Sequence, residues 1–182
     1  RVEFHSNGGI PAQVAESAAG LRSDMNVMEV DLTNVRARLL ALPRVKAVNV
    51  ERRLPDKFSI QLEERLPVAW ITSVANGIDQ KSRLFVDRDG VAFKCDELLR
   101  EYMTLPVINA ADQPVITLGR EMNSAPVKAA ISLLEQIRSR DWSVPCSVNR
   151  IDIPNAWTLE AEMESGAVYT FSPGRMEQQL ER

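Results

Sequence analysis

The chain has 182 residues, 45% of them hydrophobic and 26% charged, an ordinary globular balance. Lys and Arg number 22 against 25 Asp and Glu, a net charge of -3, so there is no global basic footprint for nucleic acid. No apolar run approaches the roughly 20 residues needed to cross a bilayer as a helix.

Val2 and Phe4 predict a short first strand, which Asn7-Gly8-Gly9 breaks. Pro11 suits a first helical turn, Val14 and Ala18 lie one turn apart, and Gly20 suits the helix end. Leu32, Val35, Leu39 and Leu42 then recur at helical spacing, with Asp31 placed to cap the first turn. Pro43 restricts the residue before it, so this helix ends near Leu42. Val48 and Val50 alternate with Asn49 and Glu51, as in a half-buried strand. Leu54-Pro55-Asp56 is turn chemistry. Phe58, Ile60 and Leu62 against Ser59, Gln61 and Glu63 form the clearest period-two pattern in the chain. The order strand, helix, helix, strand, strand makes a small domain, for which we take residues 1–69.

Residues 70–182 read as a second, β-rich domain with helices packed on one face, which makes the chain α+β. Ser73 to Gly77 is a break. A hairpin runs from Arg83 to Phe93 and turns at Asp87-Arg88-Asp89-Gly90. A strand at Val107-Ile108 is followed by a loop region marked by Pro114 and Gly119. Ser124 near the cap and Pro126 in the first turn predict a helix that carries Val127, Ile131, Leu134 and Ile137. Val148 to Ile153 suggests a strand. Trp157, Leu159, Ala161 and Met163 alternate with Thr158, Glu160, Glu162 and Glu164 as a one-sided strand. Ser165-Gly166 turns the chain back into Ala167 to Phe171, and a short helix holding Met176 and Leu180 follows Gly174.

Each tempting chemical feature has a plainer reading. Asp87-x-Asp89-Gly90 starts like a calcium loop but lacks the later acidic positions, so turn chemistry explains it. His5 lies at a strand end with no nucleophile beside it in sequence. Glu160, Glu162 and Glu164, spaced by two, make the solvated face of a strand. Cys95 and Cys146 could bridge in an oxidising compartment, but two free, partly buried thiols are the expectation, and with His5 they are too few for a zinc site. With no phosphate loop and no nucleophile elbow, recognition is expected in place of catalysis, with no cofactor and no metal. A hydrolase using Cys95 or Cys146 is the rival from the enzyme class.

The first domain's element order resembles a POTRA domain, the polypeptide-transport-associated module. Leu42-Pro43-Arg44-Val45, Val50-Glu51-Arg52, Leu54-Pro55-Asp56 and Glu64-Arg65-Leu66-Pro67-Val68-Ala69-Trp70 are similar, in order and wording, to the FtsQ/DivIB family of bacterial cell-division proteins. The hairpin Val86-Asp87-Arg88-Asp89-Gly90-Val91-Ala92-Phe93 is similar to that family's Val-Asp-x-x-Gly-x-x-Phe. Leu105 to Ile108, Trp157 to Leu159 and Ser165 to Val168 also follow its order. Leu54 departs from the tryptophan that often precedes the turn proline in the family.

The resemblance implies a scaffold that links early and late components of the division machinery by binding periplasmic segments of FtsB/DivIC and FtsL. Arg1 falls inside the first strand, so an extracytoplasmic fragment is expected, preceded by a cytoplasmic tail and one membrane helix that anchors it in the inner membrane at the septum. An exposed sheet edge is expected at Lys46 to Arg53, with Val50 and Arg52 as partner-binding residues. A second surface is expected near the helix that begins at Arg175 and carries Leu180. In the family a further strand follows that helix and pairs with the partner, whereas this sequence stops at Arg182. Ala167 to Phe171 would then form the sheet's rim, with Tyr169 and Phe171 either core or the floor of the partner site. The alternative within the POTRA class is an assembly module for outer-membrane insertion or two-partner secretion.

Overall fold

A computed structural model describes residues 2–22, 25, 28–55, 57–73, 84–94, 100–110, 116–142 and 146–181. They form two compact units, residues 1–65 and 66–182. The anticipated break at 74–77, the turn residue Asp56, the loop proline Pro114 and Cys95 lie outside the described residues.

In the first unit β1 (Val2–Ser6) is followed by α1 (Ala12–Ala19), α2 (Leu32–Leu40), β2 (Val45–Arg53) and β3 (Lys57–Glu64). The sheet order is β1-β3-β2, with β1 parallel and β2 antiparallel to the central β3. Asp31 caps α2 as its sequence position predicts, accepting bonds from the amides of Thr33 at 2.9 Å and Asn34 at 3.3 Å. Gly20 ends α1 at φ 71°, a left-handed conformation open to a residue without Cβ. Phe58, Ile60 and Leu62 of β3 and Val48 of β2 bury their side chains with Val35 and Leu39 of α2. The buried stripe of α1 is Ala15 and Ala19, whereas Val14 is 51% exposed. Alanine, with its small side chain, allows α1 to lie close against α2, and the bulkier valine is left outside.

The exit motif has a structural cause in Glu64, which is buried at the end of β3. Its carboxylate accepts bonds from the Ser6 hydroxyl at 2.6 Å and the Ile10 amide at 2.7 Å, and it faces Arg44 Nε at 2.9 Å. Its own amide donates to Asn7 Oδ1 at 2.6 Å. A Cβ on Gly8 would collide with this carboxylate. A buried charge is tolerated only when so paired, which is why Asn7-Gly8 and Glu64, far apart in sequence, belong together.

The second unit contains β4 (Pro67–Thr72), β5 (Leu84–Asp87), β6 (Ala92–Lys94), a 3-10 turn at Arg100–Thr104, β7 (Val107–Asn109), α3 (Ala125–Ser139), β8 (Val148–Asn155), β9 (Thr158–Met163), β10 (Val168–Phe171) and α4 (Met176–Leu180). Seven strands form one sheet in the order β10-β9-β8-β7-β4-β5-β6. Pro67 to Trp70 therefore belongs to this sheet, and the first compact unit ends at Arg65, four residues before the boundary read from sequence. The hydrophobic periodicity of Val68-Ala69-Trp70 is that of a strand, but its partners β5 and β7 come later in the chain.

One face of the seven-stranded sheet packs Ile71, Val86, Ile108, Ile151 and Leu159 against Val127, Ile131 and Leu134 of α3. Ser124 caps α3, accepting from the Val127 amide at 3.4 Å. On the other face Phe85 and Phe93 form a small cluster with Trp70, Tyr102 and Leu105, and the Trp70 indole donates to the Tyr102 carbonyl at 2.8 Å. Asp87 is buried, and its carboxylate accepts from the amides of Asp89 at 3.0 Å and Val91 at 2.8 Å. Turn amides thus occupy the oxygen that a calcium loop would aim at the metal. No helix among the described residues is long and apolar enough to cross a membrane.

Candidate partner-binding edges

Four strands lie at sheet margins, and they differ in how their outer side is filled. The β6 margin is covered: Val91 bridges to Glu121, the Gly119 amide donates to the Ala92 carbonyl at 2.8 Å, and the Met122 amide donates to the Gly90 carbonyl at 2.9 Å. No described strand pairs with the outer sides of β1, β2 or β10. A margin strand carries a row of amide and carbonyl groups directed outward, which an extended chain can satisfy.

The margin at β2 is the one expected from sequence, at Lys46 to Arg53. Val50 pairs with Ile60 and packs on the first unit's core while staying half-buried, so it is a core residue with one flank at the margin. Arg52 pairs with Phe58 on the same face, and its guanidinium donates to the Val30 carbonyl just before α2. It therefore ties the strand to the helix entry in addition to lying at the margin. The opposite face is polar. Glu3 of β1 contacts Lys57 Nζ at 2.7 Å and Arg53 Nη1 at 3.5 Å, and the Lys57 bond and charge hold its carboxyl below the usual value. Lys46 lies 3.8 Å from Glu63, and a register shift interrupts β2 between Val45 and Ala47. Charges and irregularity of this kind blunt promiscuous pairing.

The margin at β10 is barer. Val168 is 61% exposed and Tyr169 54%, and neither carries charge. Phe171, 7% exposed, is part of the second unit's core. Tyr169 pairs with Ala161 as Phe171 pairs with Leu159, so it points to the core face yet remains uncovered. Arg175 is the exposed residue that precedes α4, and its carbonyl accepts from the Gln179 amide at 3.1 Å. Leu180 packs against the core edge, and its carbonyl accepts from Arg140 at 2.9 Å. Tyr169 and Phe171 thus share one strand, Arg175 precedes α4 and Leu180 ends it, and Val50 and Arg52 belong to the other unit.

Sequence reading missed Trp157, which was expected to start the one-sided strand. It sits in the Ala156-Trp157 turn between β8 and β9 and is 81% exposed. Its amide donates to Asn155 Oδ1 at 2.9 Å, and that Asn-initiated turn was the available signal. Val168 was missed because its alternation with Tyr169 is compatible with either face. Cys146 is a free, half-buried thiol, and burial pushes its pKa up, opposite to the direction an activated nucleophile needs. Among the described residues no group of three metal-ligating side chains converges.

The β-α-α-β-β unit with two unpaired margins defines a POTRA-type protein, and residues 1–65 match the family model described as "POTRA domain, FtsQ-type". The chain is similar to the cell division protein FtsQ of Syntrophotalea carbinolica, 25% identical over 140 residues, covering 77% of this chain and 47% of that protein. It is also similar to the cell division protein FtsQ of Corynebacterium glutamicum, 26% identical over 156 residues, covering 86% of this chain and 62% of that protein. The chain therefore spans about half to three-fifths of the length of these relatives. The N-terminal unit is thus a POTRA domain of FtsQ type, and the chain is similar to these two cell division proteins over most of its own length.

Proposed function

We propose that this chain is the extracytoplasmic part of a division scaffold, anchored in the inner membrane by a helix upstream of it. It joins early and late division components by taking periplasmic segments of FtsB/DivIC-like and FtsL-like proteins onto its sheet margins, at β10 and at β2. The reading rests on one observation above all: on β10 the uncharged Val168, Tyr169 and Thr170 are exposed, and no described strand pairs with its outer side. Strand addition needs no cofactor and no turnover. Its affinity comes from main-chain hydrogen bonds, and its specificity from pockets for alternate side chains.

The test is a pull-down by residues 1–182 of the periplasmic parts of FtsB/DivIC-like and FtsL-like proteins from the same organism. Capture of either by the native chain, and its loss with Tyr169→Asp while the unfolding transition is unchanged, is the expected result. Equal capture by native and Tyr169→Asp proteins would remove β10 from the mechanism, and capture of neither partner would overturn the scaffold reading.

A further inference from the structure

The turn that leaves β1 is an asparagine followed by a glycine, Asn7-Gly8, and that pair has a chemistry of its own. The backbone nitrogen of the second residue can attack the side-chain amide carbon of the first, because the product is a five-membered ring. Glycine, without a Cβ, hinders neither the approach nor the backbone turn that the approach requires. Asparagine is a thermolabile residue, and such a pair is where that lability is greatest.

In the folded first unit the groups that this reaction needs are tied. The Gly8 amide, the nucleophile, donates to Ser6 Oγ at 3.1 Å, and the Ser6 hydroxyl donates in turn to Glu64 Oε1 at 2.6 Å. Asn7 Oδ1 accepts from the Glu64 amide at 2.6 Å, which fixes the electrophilic side chain against β3. Gly8 itself lies so close to the Glu64 carboxylate that a Cβ would fall 2.4 Å from its Cδ. Ring closure swings the peptide between Asn7 and Gly8. That swing breaks these bonds or pushes into a carboxylate that is 2% exposed and held by Arg44 and the Ile10 amide. Asn7, Gly8 and Gly9 are nevertheless exposed to water. The site is wet and is closed by geometry alone.

We propose that Asn7-Gly8 is a latent deamidation site, intact while β1 is docked on β3 and converted once β1 lifts away. In the open unit the Gly8 nitrogen bonds to Asn7 Cγ and the Cγ–Nδ2 bond breaks. Ammonia leaves, carrying the proton that the Gly8 amide gives up. Water then opens the succinimide at either carbonyl, which puts aspartate or isoaspartate at position 7. Isoaspartate routes the main chain through the side-chain carbon and so adds a methylene between Ser6 and Gly8. With that extra length, Ser6 and Ile10 no longer both reach Glu64 Oε1. The modification thus holds β1 off β3 and makes a transient opening permanent. It is independent of any partner taken up at the sheet margins.

The test incubates residues 1–182 and the complete gene product in mildly alkaline buffer, native and in urea, and follows tryptic digests by mass. The peptide 2–22 carries Asn7 as its single asparagine, which keeps it apart from the second such pair, Asn76-Gly77. Conversion of Asn7 in the native chain should be at least about tenfold slower than in urea, because only the open fraction reacts. Ser6→Ala, which releases the Gly8 amide, should raise the native rate several-fold, whereas Ser17→Ala, at an exposed position of α1, should not. The isoaspartate form, resolved from the aspartate form by chromatography, should lack the amide-exchange protection of Val2–Ser6 that the unmodified chain shows. Equal rates in native and unfolded chains, or an Asn7 that survives urea, overturn the latent site. A native rate that Ser6→Ala leaves unmoved overturns the tie through Ser6 and Glu64. Full protection of Val2–Ser6 in the isoaspartate form overturns the permanent opening. Should Ser6→Ala unfold the unit, the native-to-urea ratio and the isoaspartate form carry the decision.

Discussion

The margins at β2 and β10 present the same backbone chemistry and opposite side-chain chemistry. At β2 a register shift, a cross-strand Lys46–Glu63 pair and an arginine tied to a carbonyl surround the open groups. At β10 the exposed side chains are a valine, a tyrosine and a threonine. The first margin is long and guarded, and only a partner that replaces those contacts gains from pairing with it. The second is short and unguarded, so it costs little to occupy. The two margins thus differ in side chains that a topology diagram omits.

The strongest way to break this comparison is to remove what keeps β2 and β3 in register. Glu64→Ala leaves Arg44 unpaired and frees the Ser6 hydroxyl and Ile10 amide, which should cost about 3–5 kcal/mol of the first unit's stability. Urea unfolding followed by the amide signals of residues 2–64 measures it, and a loss under 1 kcal/mol would refute the role given to Glu64.

Paired substitutions sharpen the comparison next. Val50→Asp buries a charge on the core side of β2 and should destabilise the first unit by about 1–3 kcal/mol as well as block partners there. Tyr169→Asp, at an exposed site, should stay within about 0.5 kcal/mol of the native chain while partner capture falls. Similar stability losses for the two variants would erase the distinction between the margins.

Arg52→Ala should cost about 1 kcal/mol through loss of the bond to the Val30 carbonyl, and Arg52→Lys should recover part of it. If both variants unfold like the native chain, the tie to α2 is without energetic weight. The smallest effect concerns acid. Because Lys57 and Arg53 lower the pKa of Glu3, the folded state gains from this carboxylate above its ordinary value of 4.5 and loses that gain as pH falls through the lowered value. Glu3→Gln should therefore differ slightly from the native chain at neutral pH and match it in strong acid. A difference that grows on acidification would reverse the sign.

Local patterns made most of the fold legible. Asp31, Ser124 and Gly20 mark helix ends because a cap is a contact within a few residues, and the alternation of Phe58, Ile60 and Leu62 marks β3 because one of its faces is buried. Trp157 misled, since a two-residue turn placed where a strand pattern begins shifts an aromatic from core to tip. The first compact unit ends at Arg65, short of the residue 69 read from sequence, because β4 finds its partners in β5 and β7, which follow it in the chain. Val50 and Arg52 were legible as margin residues, but the Arg52 bond to a carbonyl 22 positions earlier left no trace in any local pattern.

By itself, the amino-acid sequence determined most of the elements, their order and the α+β class, because propensity, capping and hydrophobic period act over a few neighbouring residues. Only the tertiary structure decided which strand lies at which margin, and that among the described residues β6 is covered and β10 is not. Strand order is settled by which distant segments bury one another's apolar faces, and a margin exists only once that competition has ended.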